Sequence, residues 1–541
     1  MDDSAARTNV EWREWGQDAF DEAARAKKPV LLSLSAPWCA HCHQMDATTY
    51  TEPRIAANIN DGFVPVRVDV DRHPRVRERY NMGGFPSTVF CTPEGDILTG
   101  AGYLGVDGFR EILDSVRRTW DGKGEEAGRV PRALRDGTPP SGEVRARIEE
   151  HMVEQLLGAF DDEFGGWGSD TKFPLPRTVE FALVRARDQA TRTLEAIQTH
   201  LLDTYDGGFY RFATGRDWSD PHREKLLDEN AALVRAFARA YRYTGEDSYR
   251  ESAETTVEYL TTDLWTGEAF AASQASDDEY YRMSPTDRED AEPPNVDETV
   301  LADRNGMAAG ALLALHAYTD DEPARRYAER ALDHVLDELV EDGEVTHYRS
   351  DEEVGESGLL ADQTGVLQGL TTAWQVTGEY GDAATAVADY ALAELQDEDG
   401  GAFRDGTPEG PGLLDEPLYP LDTNVELADA LVDLAALTGE DRYRERAREA
   451  IAAFAGAAER MGVEVASYAT VASRLQSLRV FRIGAPAGSD LHRAALRVAD
   501  HEAVVVPAAA DLDGEAEVVD DGTVTGTAET PDGLAELATS S

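Results

Sequence analysis

Two hydrophobic rhythms divide this chain. As far as about Trp120, short apolar runs alternate with amphipathic stretches; from Glu143 onward, nearly every segment repeats its apolar residues at helical spacing. In the first part, GQDAFDEAARAKK (Gly16 to Lys28) keeps its apolar residues on one helix face and ends in basic residues. PVLLSLS reads as a short buried strand, CHQMDATTYTEPRIAANIND as helix, and FVPVRVDVD (Phe63 to Asp71) as a second strand. PRVRERYN is a short helix opened by Pro74. STVFCT and DILTGAGYL form two strands around Pro93-Glu94-Gly95, and VDGFREILDSVRRTW closes the domain as an amphipathic helix.

The glycine-, proline- and charge-rich stretch 121–142 reads as a linker. Beyond it the helical pattern predicts twelve helices: 143–159, 177–186, 189–204, 226–243, 247–263, 302–318, 322–341, 360–377, 381–396, 423–438, 441–459 and 467–478. Two kinds of junction alternate. Short ones, such as TGED at Thr244 and again at Thr438, join helices tightly; long ones carry glycine and an aromatic residue, as in FGGWGSDTKFP from Phe164, DGGFYRFATGRDW from Asp206, GEVTHYRS from Gly343 and DGGAFRD from Asp399. In an antiparallel array this alternation gathers the long loops at one end. Six hairpins predict an (α/α)6 toroid over 143–478, similar to six-hairpin glycosidases and the N-acylglucosamine 2-epimerase group. Residues 479–541 read as a small β-α-β appendage with a polar tail. The expected fold class is therefore an α/β domain over 1–120, an all-α toroid and a small α/β segment.

Charge narrows the function classes. The 541 residues carry 105 acids against 51 lysines and arginines, a net −54, with only five lysines. The acids run along the whole chain, so the expectation is an acidic, halophilic protein whose charged surface stays soluble in concentrated salt. Nucleic acid and anionic lipid are poor partners for it. No run of eighteen apolar residues exists and the N-terminus has no apolar leader, so the expectation is a cytoplasmic protein that does not enter a membrane.

The chemistry concentrates in APWCAHCHQM. Cys39 and Cys42 lie two residues apart at the start of a predicted helix, where unpaired amides favour an anion. Cys39 is the expected attacking thiolate and Cys42 the resolving thiol. An imidazolium at His41 would stabilise the reduced form. The spacing also fits covalent haem, which requires export, and a metal site using Cys39, Cys42 and His43, for which no second CxxC is present. The expectation is a dithiol with no cofactor and no metal; Cys91 is a buried apolar filler. The element order resembles the thioredoxin fold, and Pro86 in GGFPSTVF stands where such proteins place a cis-proline facing the dithiol. The buried carboxylate usual six residues before the first cysteine is Ser33 here, leaving Asp46 or His43 to handle its proton.

VEWREWGQDAFDEAARAKKPVLLSL, WCAHCHQM, KFPLPRTVEFAL, GGFYRF, PHREKLLDENAAL, AASQASDDE and DRNGM together resemble the spermatogenesis-associated protein 20-like family. The chain departs from the family pattern in CAHCH, in Asp228-Glu229-Asn230, in Arg304 and in the short Met82-Gly83-Gly84. The resemblance implies a thioredoxin-like domain fused to a carbohydrate-enzyme-like toroid. Substrate-binding candidates on its motifs are His222, Glu224, Lys225, Asn230, Asp278 and Asn305, with His222 and Glu224 as base and acid. The expected function is thiol–disulfide oxidoreduction, with client protein thiols or a thioredoxin-type reductant as partners and a sugar as ligand of the toroid. The alternative is a carbohydrate-active enzyme of epimerase or glycosidase type, in carbohydrate metabolism, whose dithiol is regulatory or vestigial.

Overall fold

PVLLSLS becomes the centre of a four-stranded sheet because it is apolar on both faces. In the computed structural model, which describes residues 8–135, 137–397 and 399–540, the chain divides into two units. The first comprises Met1–Gly137, Ala275–Asp277 and Asp405–Leu418. Its elements are α1 Gln17–Ala26, β1 Val30–Ser35, α2 Ala40–Thr48, α3 Pro53–Gly62, β2 Val64–Asp69, α4 Pro74–Tyr80, β3 Ser87–Cys91, β4 Ile97–Ala101, α5 Val106–Lys123 and the single turn α6 Arg132–Arg135. The sheet order is β2-β1-β3-β4, with β1 parallel to β2 and antiparallel to β3. This is a thioredoxin-like arrangement. Leu31, Met45, Ile55, Ile59, Phe63, Phe90, Phe109, Leu113 and Val116 form its core.

Three expectations need correction here. The stretch read as one helix after Cys42 is two, because Pro53 has no N–H to continue a helix and Glu52 caps the new one, accepting the Ile55 N–H at 2.8 Å. The stretch read as a linker belongs to the first unit as far as Gly137: α5 runs on to Lys123, Ile97 and Arg129 exchange two backbone hydrogen bonds of 3.0 Å, and α6 follows. Residues 405–418, expected within a toroid loop, pack in this unit as well. Asp405 is buried against Arg75 (3.4 Å) and Arg79 (3.2 Å), and the Tyr80 hydroxyl accepts the Leu413 N–H and donates to Gly95 O. Gly95 and Gly412 make this approach possible; a Cβ on Gly95 would lie 2.3 Å from the Gly412 Cα.

The second unit alternates outer with inner helices six times: outer α7 Arg147–Gly158 precedes inner α8 Pro176–Arg185, which packs on outer α9 Arg187–His200, and inner α10 Leu227–Thr244 follows. α11 Asp247–Thr262 precedes a loop holding the one-turn helices α12 Asp278–Tyr281 and α13 Pro285–Arg288, which were not anticipated, and then inner helix α14 Ala302–Thr319. α15 Glu322–Leu339 precedes α16 Leu360–Thr377, α17 Gly381–Tyr390 precedes α18 Leu421–Thr438, and α19 Asp441–Phe454 precedes α20 Ala466–Gln476. Each inner helix packs on the next, and α20 closes on α8. The ring is an (α/α)6 toroid. Burial follows position: α14 is buried on nearly every face, whereas its outer partner α15 buries one stripe of Ala324, Ala328, Ala331, Leu332, Val335 and Leu339.

Short ladders tie the long loops together: β5 Phe212–Ala213 with β6 Pro221–His222; β7 Lys225–Leu226, β8 Ser273–Gln274 and β9 Val296–Asp297 side by side; and β10 Val340–Glu341 with β11 Glu344–Val345. A buried amide at the fourth residue of four inner helices clips each long loop. Asn230 accepts the Phe209 N–H and donates to Phe209 O and Leu226 O. Asn305 does the same for Phe270 and Leu301, and Asn424 for Phe403 and Pro420. Gln363 accepts the Val345 N–H and donates to Gly343 O and Val387 O. Asn305→Ala is expected to strand the buried Phe270 amide and carbonyl at about 1–3 kcal/mol per orphaned group. Hydrogen exchange of the Phe270 amide should accelerate with it.

The C-terminal segment is more than an appendage with a tail. β12 Arg479–Ile483, α21 Asp490–Val498 and parallel β13 Val504–Val506 are followed by the hairpin β14 Ala516–Asp520 and β15 Thr523–Ala528, then α22 Pro531–Ser540. Asp521 and Gly522 turn the hairpin with positive φ. The segment covers the end of the toroid where the short junctions lie. The Val505 N–H donates to Gln375 Oε1 (3.0 Å), His492 Nε2 bonds Gln375 O (2.8 Å), and His501 Nδ1 bonds the Tyr243 hydroxyl (2.8 Å). Beneath it, Arg177, Glu180, Arg239, Asp429, Arg474 and His501 line a cavity of about 30 Å³, which holds a water or two but no sugar ring. Among the described residues, no helix is long and apolar enough to cross a membrane.

Candidate functional sites

Cys39 is the N-cap of α2: its backbone is still extended, and its Sγ accepts the Cys42 N–H at 3.1 Å. Cys39 and Cys42 are joined as a disulfide, so neither is a metal ligand in this state. Both are buried, while His41 between them is exposed and lies edge-on to Tyr103 at 5.8 Å. The approach to the pair is fixed by Trp38, whose indole N–H donates to the buried Asp71 at 2.7 Å and whose ring meets Phe85 edge to face at 5.9 Å. The Phe85–Pro86 peptide is cis. Ser276, from the short stretch that belongs to this unit, donates its N–H to Trp38 O at 3.3 Å.

Ser33 is buried and accepts a 3.3 Å hydrogen bond from Tyr50. Of the two residues considered for the missing carboxylate, His43 is exposed, whereas Asp46 is buried one helical turn beyond Cys42 and pairs with Arg67. Burial pushes the Asp46 carboxyl up, and Arg67 pulls it partly back. Cys91 is a buried free thiol whose pKa is pushed up by desolvation, as befits an unreactive filler.

The toroid candidates separate into two groups. Lys225, Asn230 and Asn305 are buried in the wall and committed to holding loops. Lys225 Nζ bonds Asp203 (3.0 Å) and Gly207 O (2.7 Å) beneath the rings of Tyr259 and Tyr281. Lys172 repeats the motif one hairpin earlier, with Asp161 (2.9 Å), Gly165 O (3.0 Å) and Gly168 O (2.9 Å). A compact ammonium fits such a cage of oxygens where a planar guanidinium would not. Asp278 is half-exposed between Arg223 (2.7 Å) and Arg282 (2.8 Å).

His222 and Glu224 do come together. The β5–β6 ladder stacks the His222 ring on Phe212 at 4.2 Å, and His222 Nδ1 lies 3.5 Å from Glu224 Oε1. Arg211, which the sequence reading passed over, reaches Glu224 (3.6 Å) and Glu229 (3.1 Å). Asp228 stands 3.8 Å from Arg304. Desolvation between inner helices lifts the Glu229 carboxyl to about 8; Arg211 opposes this, while Asp228 and Glu224 add to it. About a third of its side chain still meets solvent, so proton exchange stays open. A pKa raised in the folded state stabilises the fold fully below about 4.5 and not at all above about 8. Wild-type stability should therefore fall as pH rises across that window. Glu229→Gln should flatten the slope, measured as denaturation midpoints at pH 5, 7 and 8.5.

A family model described as Thioredox_DsbH, protein of unknown function DUF255, matches residues 3–136. The chain is homologous to spermatogenesis-associated protein 20 of Homo sapiens: 29% identical over 295 residues, which is 47% of this chain and 37% of that protein. It thus spans little more than a third of that relative's length. Protein disulfide isomerase-like 2-2 of Oryza sativa subsp. japonica is 33% identical over 156 residues, 26% of this chain and 40% of that protein. Among solved structures, a sugar epimerase from a ruminal bacterium aligns with a TM-score of 0.47 at 12% identity, over 56% of this chain and 85% of that one.

His347 and Asp362 were missed by sequence reasoning. His347 lies in a loop, and its partner acid stands on the inner helix that follows. Its signal was the repeat itself: LDEN, ADRN, LADQ and LDTN open α10, α14, α16 and α18, each with an acid before the clipping amide.

Proposed function

We propose that the protein is a thiol–disulfide oxidoreductase acting through Cys39 and Cys42. The observation that carries this is the disulfide at the N-terminus of α2, with the Cys39 sulfur receiving the Cys42 amide. That position stabilises a thiolate when the bond is opened. In the reductive direction, the Cys39 thiolate attacks one sulfur of a client disulfide and a client thiolate leaves. Cys42, losing its proton, then attacks the Cys39 sulfur and releases the second client thiolate. Two electrons pass from the dithiol to the client. In this reading Asp46, buried one helical turn beyond Cys42, takes the Cys42 proton. Client protein thiols and a thioredoxin-type reductant are the partners this reading requires. The similarity to a protein disulfide isomerase-like chain supports it.

Three cysteines, one a buried free thiol, suit a compartment that keeps thiols reduced, the cytoplasm. The lysine-poor acidic composition suits concentrated salt. The test is reduction of a protein disulfide by the chemically reduced chain in molar KCl, with turnover above that of the same concentration of small dithiol as the expected result.

A second reading is favoured by one observation in the toroid: a carboxyl at Glu229 whose raised pKa keeps it protonated at pH 7, beside Glu224 and the stacked His222. Such a group donates a proton, as epimerisation or glycoside cleavage of a sugar requires. Sugar turnover lost in Glu229→Gln and kept in Cys39→Ser would establish it.

A further inference from the structure

We propose that Asp303, His347 and Asp362 form a binding site for one divalent transition-metal ion of the Mn²⁺, Fe²⁺ or Zn²⁺ class. The three come from separate elements: Asp303 from the first turn of α14, His347 from the loop after β11, and Asp362 from the first turn of α16. One ligand atom of each lies within 4.8 Å of both others, the separation that ligands sharing a metal require. His347 Nδ1 is 2.8 and 3.0 Å from the two Asp362 oxygens. His347 and Asp362 are almost fully buried and Asp303 is half-buried, so the site has a closed side and an open one.

The backbone is built to bring these groups together. The Ala302 N–H donates to His347 O at 2.9 Å, which ties the start of α14 to the histidine. The Asp303 N–H donates to Asp362 at 3.2 Å. α14 and α16 approach through glycine: a Cβ on Gly365 would lie 2.5 Å from Asp303 O, and one on Gly306 would lie 2.3 Å from Gly365 O. Any larger residue at Gly365 would push Asp303 away from Asp362. Backbone N–H groups and the His347 ring stabilise the carboxylates singly, and a cation between them, displacing the proton of the His347–Asp362 hydrogen bond, relieves the repulsion of two carboxylates that converge on one point. One imidazole with two carboxylates suits borderline divalent ions rather than Mg²⁺ or Ca²⁺, which take oxygen alone. Three protein ligands leave coordination positions for water or a bound oxygen ligand on the open side.

The test uses the full chain with Cys39→Ser and Cys42→Ser, so that thiolates do not compete, in molar KCl to suppress loose binding to the acidic surface. Mn²⁺ titration followed by electron paramagnetic resonance should show one tight ion per chain. Asp303→Asn and Asp362→Asn should each weaken it by about tenfold or more. Electron spin echo modulation of the bound ion should show one coupled imidazole nitrogen, a readout that needs no folding of a variant in the toroid. A bound ion without nitrogen coupling, or Mn²⁺ affinity equal in the parent and Asp303→Asn, would overturn the proposal.

Discussion

Cys39→Ser should abolish disulfide exchange, and Cys42→Ser should arrest it halfway. The two cysteines differ in position and therefore in fate. Cys39 caps α2, where the first-turn amides are otherwise unpaired and negative charge is stabilised. Cys42 lies inside the first turn, buried with Met45 and Asp46, and is suited to attack only the Cys39 sulfur, once that sulfur is joined to a client. Without Cys39 no nucleophile reaches the client, and turnover should drop to background. Without Cys42 the first step proceeds and the second does not, so a client or a glutathione moiety should remain on Cys39, visible as a mass increment that dithiothreitol removes. Asp46→Asn should slow the second step and shift its pH profile while leaving trapping by Cys42→Ser intact. If Asp46→Asn changes only stability, its role is packing against Arg67.

Glu180→Gln carries the largest expected effect on stability. Glu180 is 3% exposed on α8 and holds Arg235 (2.8 Å), Arg239 (2.8 Å) and Arg177 (3.3 Å) inside the ring. Burial alone would raise its pKa, but the three guanidinium groups outweigh burial and hold the carboxyl far below its ordinary range. Removing one partner of a buried ion pair costs about 3–5 kcal/mol, because it leaves uncompensated charge out of water. Here the charge left behind belongs to three arginines, Arg177 on α8 and Arg235 and Arg239 on α10. A depressed folded-state pKa contributes stability above the unfolded value of about 4.5, and this is lost as pH falls through the folded value. The toroid should therefore weaken on acidification below that pH, and Glu180→Gln should remove that part of the acid sensitivity. Guanidinium denaturation in molar KCl at pH 7, 4 and 2.5 reads both effects; a loss under about 1 kcal/mol at pH 7 would show that the arginines find other partners.

The helices were legible because the toroid keeps a strict division of labour. Outer helices show one apolar stripe, as α15 does, and the alternation of TGED-type junctions with glycine–aromatic loops marks which end each helix faces. Even the weak break sought near Asp188 exists, at Ala186. What could not be read was how loops are used. The same glycine-rich grammar describes 399–404, which stays in the toroid unit, and 405–418, which packs on the first unit through Asp405 and Gly412; nothing local to the sequence separates them. The hairpin at Asp521-Gly522 was legible in its alternating AEVVDDGTVTGTA and was obscured by its polar composition. Site residues divided the same way. Motif spacing located Cys39 and Cys42, whereas polarity alone could not distinguish Asn230 and Asn305, which clip loops, from His222 and Glu224, which face one another.

An oxidoreductase of this kind needs a reversible dithiol. The most direct measurement is a redox titration of the purified chain in molar KCl, with alkylation and mass spectrometry reading Cys39 and Cys42 separately. The expected result is one two-electron transition in which both thiols appear and disappear together, Cys39 alkylating fast near neutral pH and Cys91 not at all. Thiols that alkylate slowly and independently, with no disulfide forming at any potential, would contradict it.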